Sequence, residues 1–200
     1  MNQNSFKEVT KAMAKLQSPK RFNHTLGVSY TAACLAMRYG ENMENARMAG
    51  LLHDCAKSYS DDKQLKLCEK YHISITEVEQ RNPFLLHGKL GCYLAAEKYG
   101  IENKDILNAI ENHTTGRPEM SLLEKIVFVS DYIEPNRKDA PNLQSLRELA
   151  FIDLEEALYN ILEQTLKYLE KNGRDIDPKT RITYEYYETI RKERKHEGIS

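Results

Sequence analysis

The sequence predicts an all-α fold, on three observations. Apolar residues recur at spacings of three and four along nearly the whole chain, the period of a helix that turns one face to a core. Capping signals stand where the periodic runs begin and end. No segment sustains the alternation of period two that a half-buried strand requires. The chain has 200 residues, 40% hydrophobic and 30% charged, enough for one domain that folds without help from a metal or a disulfide. Any metal site in such a chain therefore points to function rather than to folding.

Ser5 and Glu8 form a capping box ahead of Phe6, Val9, Met13 and Leu16. Ser18-Pro19 supplies an N-cap and a proline at the first helical position, opening a helix that Gly40 closes. A third helix is expected over about 42–57, with Ala46, Ala49 and Gly50 on the face of His53. Ser60 begins a fourth, and Ser74 with Glu77 a short fifth. Asn82-Pro83 precedes a helix over about 84–99 that Gly100 stops, and Asn103 caps the next, which lines up Ile106, Ala109, Ile110 and His113. Ser121 with Glu124 starts a helix through Asp131 that Pro135 ends. A polar loop over 134–142 leads into one long helical pattern ending at Gly173, carrying Leu154, Leu158, Ile161, Thr165 and Leu169. Asp177-Pro178 starts the last helix, with Tyr184, Tyr187 and Ile190 in a stripe and the charge run 191–195 at its solvated end. The expected organisation is a single domain: a core over 1–175, then a C-terminal helix with a polar tail over 176–200.

Charge and hydropathy exclude several functions. Twenty-nine basic against 30 acidic residues, net charge -1, argue against broad nucleic-acid binding, which needs many cations to displace counterions. The longest apolar run, Ala32 to Met37, is six residues, against the ~20 that span a bilayer. No continuous apolar core of a signal peptide is present near the start, so a cytoplasmic location and no membrane partner are expected. Cys34, Cys55, Cys68 and Cys92 form no CxxC and read as buried free thiols.

Four of the six histidines, His24, His53, His87 and His113, fall in predicted helices that should pack together. His53 is followed by Asp54, and Asp131 lies on a helix otherwise reading IVFVS. Neutral imidazole and carboxylate are ligands for divalent metals and are costly to bury without a cation or hydrogen bonds. A shared metal centre satisfies all of them. Taken singly, a histidine on a helical face is more often a hydrogen-bonded core or surface residue than a ligand, and Asp131 alone could cap a neighbouring helix; order and context favour the shared centre.

The order H…HD…D, here His24, His53-Asp54 and Asp131, resembles the HD-domain metal-dependent phosphohydrolases. Five segments, RFNHTLGV (21–28), LLHDCAK (51–57), HGKLGC (87–92), NHTTGRP (112–118) and VFVSDYIEPNR (127–137), are similar to the YqeK family, associated with symmetrical hydrolysis of diadenosine tetraphosphate to two ADP. The resemblance implies an HD-domain helical bundle with additional C-terminal helices. It implies one metal held by His24, His53, Asp54 and Asp131, a second held by His87 and His113 with Asp54 bridging, and Asp54, Lys57 and Asp131 as the catalytic set. Two such ions about 3.5–4 Å apart can hold a bridging hydroxide as nucleophile and neutralise the phosphate it attacks. The resemblance favours iron; the mixed N and O ligands suit manganese, cobalt or zinc as well. No organic cofactor is expected.

A polyphosphate also needs cations outside the metal centre. Arg21 lies one turn before His24, Lys57 one turn after His53 and Arg137 just beyond Asp131, positions from which all three can grip phosphate; a solvated surface charge is the alternative for each. His113, Thr114, Thr115 and Gly116 are candidates for phosphate or ribose contacts, with a plain C-cap as the alternative for the last three. Glu134 is a candidate to orient a ligand or a basic residue. The tyrosine stripe reads as packing, with an adenine shelter or a homodimer seam left open.

Three functions fit this pattern: symmetrical cleavage of a dinucleoside polyphosphate, a broader nucleotide phosphohydrolase or phosphodiesterase activity, and nucleotide sensing without turnover. Guanosine tetraphosphate hydrolases carry HDxxED, where Lys57 and Ser58 stand here; the HHE triplet of HD-GYP phosphodiesterases corresponds to Asn112-His113-Thr114.

Overall fold

The computed structural model describes residues 5–198, and among these residues it contains eleven α-helices and no strand. They are α1 (Phe6–Leu16), α2 (Pro19–Tyr39), α3 (Met43–Leu52), α4 (Asp61–Lys70), α5 (Glu77–Arg81), α6 (His87–Tyr99), α7 (Lys104–Asn112), α8 (Leu122–Ile133), α9 (Leu143–Ile152), α10 (Leu154–Lys171) and α11 (Pro178–His196). A 3-10 turn, Pro83–Leu86, runs directly into α6. No helix among the described residues is long and apolar enough to cross a membrane.

The apolar run of α8 forms the centre: Ile126, Val127, Phe128 and Val129 are all buried, because α2, α3, α7, α9 and α10 pack around it. A helix hydrophobic on nearly every side is stable only in such surroundings. The expected capping boxes of α1 and α8 are present, and Gly40 ends α2 in the left-handed region with φ +77°.

Four boundaries differ from expectation. α3 stops at Leu52 rather than near Lys57, because His53 and the residues after it close tight turns of the i to i+3 kind, such as Cys55 N–H to Leu52 O and Lys57 N–H to Asp54 O. The box that starts α5 is Thr76 with Glu79, not Ser74 with Glu77. The helix expected from Phe84 begins at His87, after the 3-10 turn. The long pattern before Gly173 is two helices, broken at Asp153, whose extended backbone (φ -141°, ψ 101°) and side chain cap α10 by accepting from Glu156 N–H.

α11 packs along α10 and reaches the segment after α7. Tyr187 is buried and its hydroxyl accepts from Met120 N–H at 3.0 Å, while Tyr184 stacks on Tyr159; the stripe is packing. The charge run is not simply solvated, since Arg191 pairs with Glu156 and Arg194 with Asp153. Of the cysteines only Cys55 and Cys68 are buried; Cys92 is half-buried and Cys34 exposed.

Candidate metal centre

Helix ends position three of the four histidines. His53 caps the C-terminus of α3 and His113 that of α7, while His87 follows the 3-10 turn. In each, Nδ1 contacts the carbonyl three residues back: Gly50 O at 2.7 Å, Ile110 O at 2.7 Å and Phe84 O at 2.6 Å. Carbonyls at helix ends lack an intrahelical donor, and a carbonyl can only accept. Nδ1 therefore carries the proton, and Nε2 is left with a lone pair pointing inward. Close packing keeps two of these ends together, since a Cβ on Gly88 would stand 2.6 Å from Glu111 O.

His24 lies inside α2, where no such carbonyl is open, and its Nδ1 instead faces Glu134 Oε1 at 3.1 Å. Glu134 is 1% exposed. Its other oxygen accepts from Asn136 N–H at 2.7 Å and Asn136 Nδ2 at 3.1 Å. Gly27 makes the room: any Cβ there would meet Glu134 Oε2 at 2.2 Å. Sequence reasoning gave Glu134 only an unspecific orienting role; the signal that locates it is a glycine three residues after a histidine, one helical turn on the same face.

The four imidazoles run in a chain, with centroids 5.4, 5.0 and 4.9 Å apart from His24 through His53 and His113 to His87. Asp54 stands between two pairs of Nε2 atoms. Its Oδ2 is 3.5 Å from His53 and 3.9 Å from His24; its Oδ1 is 3.5 Å from His87 and 3.7 Å from His113. Asp131 Oδ1 lies 3.1 Å from His24 Nε2 and 3.9 Å from His53 Nε2. All six side chains expected as ligands are thus brought together.

This arrangement is unfavourable without a cation. His24 Nε2 and His53 Nε2 are buried with no hydrogen-bond partner, so the 3.1 Å approach of His24 to Asp131 sets a lone pair against a carboxylate oxygen. His87 Nε2 and His113 Nε2 likewise face each other at 3.0 Å. Burial, reinforced by neighbouring positive groups, lowers the pKa of His87 to about 3 and of His113 to about 4, so a proton between them is disfavoured at neutral pH. Burial opposes ionisation of Asp54 and Asp131, but positive charge on the facing imidazoles, His53 at the first and His24 and His53 at the second, together with the Arg137 guanidinium, would hold both carboxyls well below the usual range, a charge that neutral imidazoles leave to a bound cation. Burial alone would lower His53; Asp54 and Asp131 raise it instead, the same demand for positive charge. Ligands at right angles around a metal with bonds of about 2.1 Å stand about 3.0 Å apart, close to the shortest separations here. The donor set, four neutral nitrogens and two carboxylates, fits a divalent cation.

Basic residues border the centre. Arg21 Nη1 donates to Asp54 Oδ2 at 2.8 Å, and Arg137 Nη2 to Asp131 Oδ1 at 3.0 Å. Lys57 Nζ lies 3.2 Å from His87 Nδ1, and burial lowers its pKa. Thr114 Oγ1 stands 3.1 Å from Nε2 of both His87 and His113. The other two residues of that turn do not share its position: Thr115 Oγ1 donates to Gly116 O, and Gly116, at φ +65°, closes α7 by donating to Asn112 O. Next to His24, a cavity of about 350 Å³ opens between the start of α2 and the loop after α8, with Arg21, Glu134 and Arg137 in its wall.

Comparison with known proteins agrees with this geometry. The HD domain matches residues 21–136. A symmetrical bis(5'-nucleosyl)-tetraphosphatase of Halalkalibacterium halodurans is 42% identical over 164 residues, 82% of this chain and 87% of that protein. One from Bacillus subtilis is 40% identical, over 83% of this chain and 88% of its own. The crystal structure of a predicted HD-superfamily hydrolase involved in NAD metabolism from Clostridium acetobutylicum superposes with a TM-score of 0.91 at 40% identity, covering 94% of this chain and all of that one.

Proposed function

The chain belongs to the HD-domain family and, within it, to the symmetrical bis(5'-nucleosyl)-tetraphosphatases, and from that premise we propose that six side chains hold two divalent ions for cleavage of diadenosine tetraphosphate. The enzyme is a metal-dependent hydrolase that splits this substrate at its central anhydride. Water oxygen joins one inner phosphorus, the bond to the bridging oxygen breaks, and two ADP result.

His24, His53 and Asp131 form one ligand group and His87 with His113 the other. Asp54 serves both, and its two oxygens, each turned to a different pair of imidazoles, are the observation that carries this reading. Divalent ions held there would acidify water and take up charge on the phosphate. Iron is the favoured metal on family resemblance alone, since a set of four imidazoles and two carboxylates suits manganese, cobalt or zinc as well. Glu134 fixes the tautomer of His24. Arg21 and Arg137 keep the two carboxylates in place and retain further N–H donors for phosphate oxygens. Lys57 adds a half-buried positive charge beside His87, and the Thr114 hydroxyl stands where it can donate to a substrate oxygen.

Protein purified without oxygen and supplied with Fe(II), Mn(II) or Co(II) is expected to convert diadenosine tetraphosphate to ADP alone, resolved by ion exchange. ATP plus AMP, or no turnover, overturns the reading. Comparable kcat/KM for mononucleotides would instead identify a broad nucleotide phosphatase.

A further inference from the structure

Sequence and structure place a second row of positive charge beyond the arginines. Lys20 precedes Arg21 in the first turn of α2, and Lys138 follows Arg137 in the loop after α8. Both lysines line the 350 Å³ cavity beside His24, a volume within the range of small-molecule sites. The arginines are tied to Asp54 and Asp131 and mark the border with the metal centre. Lys20 and Lys138 are exposed and make no ion pair with any described residue. A lone exposed lysine is ordinary. Here two separate segments converge on one cavity, and each gives an inner arginine and an outer lysine. Two acids also line it, Glu134 and Asp139, and Glu134 is committed to His24 and Asn136.

Cleavage of the central anhydride releases a nucleotide with two phosphates in line. We propose that this cavity is the subsite for the departing nucleotide, and that Lys20 and Lys138 bind the outer of its two phosphates. The inference rests on the hydrolase reading above. Arg21 and Arg137 meet the inner phosphate beside the metals; the lysines reach only a leaving group that has a second one. They thereby select four bridging phosphates over three, because a dinucleoside triphosphate held the same way departs as a monophosphate and forfeits the outer contacts.

The test compares wild type with K20Q/K138Q on diadenosine tetraphosphate and triphosphate, at low and high ionic strength, alongside calorimetric binding of ADP. Two solvent-exposed charge contacts predict a fall of about tenfold in kcat/KM for the tetraphosphate, carried by KM. The preference for tetraphosphate over triphosphate shrinks with it, ADP binds several-fold more weakly, and the effect fades at high salt. K20R/K138R restores all three, and metal content and Tm stay at wild-type values throughout. An unchanged KM and unchanged ADP affinity overturn the proposal. So does an equal loss on both substrates, which marks general steering rather than a subsite. Failure of the wild type to yield ADP overturns the hydrolase reading instead, and ADP affinity still decides the subsite.

Discussion

Glu134 has two sets of donors to satisfy, and a glutamine in its place satisfies only one. Its Oε1 takes the proton on His24 Nδ1 and its Oε2 the amides of Asn136. In Glu134→Gln one side must face an NH2 group, so either the loop amide loses its acceptor or His24 loses the partner that fixes its tautomer. Partners of this kind behind metal-binding histidines typically contribute 10–100-fold in affinity. Titration of chelator-treated protein is expected to show a loss of about that size at the His24 site, and a variant that binds metal as tightly as wild type contradicts the role. Asp54 and Asp131 differ in reach: the first faces both ligand groups, the second only His24 and His53. Asp54→Ala should therefore abolish binding at both sites, whereas Asp131→Ala should spare the His87/His113 site. Elemental analysis distinguishes the two, and equal metal content in both variants would falsify the bridging assignment.

Local signals made most elements legible, and the misses have physical causes. Capping boxes at Ser5 and Ser121 and the stop at Gly40 depend on neighbours within four residues, and each is where the sequence places it. The break at Asp153 was missed because apolar spacing runs on through it, whereas the side chain prefers to accept from Glu156 N–H and pair with Arg194, a residue 41 positions away. The six candidate ligands, which the structure brings together, were legible because their chemistry is rare on apolar helix faces. Glu134 as the partner of His24 was not, since a carboxylate beside a proline loop has many ordinary readings. The Asp153 cap gives a prediction for α10. Asp153→Ala should lower stability by ~1 kcal/mol through loss of the cap alone, while Asp153→Asn, which keeps an acceptor oxygen, should lower it by less, the partly exposed ion pair with Arg194 being worth about 1 kcal/mol or less. Burial opposes ionisation of Asp153, but Arg194 and the amides of α10 outweigh it, so its folded pKa lies below the usual 3.8. A depressed folded pKa gives stability that is present above the unfolded value and lost as pH falls through the folded one. Urea melts of wild type and Asp153→Asn should thus differ at neutral pH and converge in acid below about pH 4; a gap that persists there argues against the charge.

For the whole molecule, a net charge of -1 conceals a separation of charge: buried carboxylates at the centre, arginines at their border and lysines at the mouth. The helices around α8 hold the histidines whether or not metal is bound, because the core residues of α8 are buried by five other helices. What metal changes is the electrostatic conflict at the centre, where lone pairs face each other at 3.0 and 3.1 Å. Chelation should therefore weaken the protein without unfolding it. At a free metal concentration about 100 times Kd, binding contributes about 2.7 kcal/mol, and at about 2–4 °C per kcal/mol for a chain of this size removal should lower Tm by about 5–10 °C. Helical circular dichroism should stay at its metal-bound value below the transition, and added Mn(II) or Fe(II) should restore Tm. Loss of helix on chelation at room temperature would make the site a structural one, with the bundle unable to stand on its own core. An unchanged Tm would contradict this account, since metal would then add nothing to the stability of the folded state.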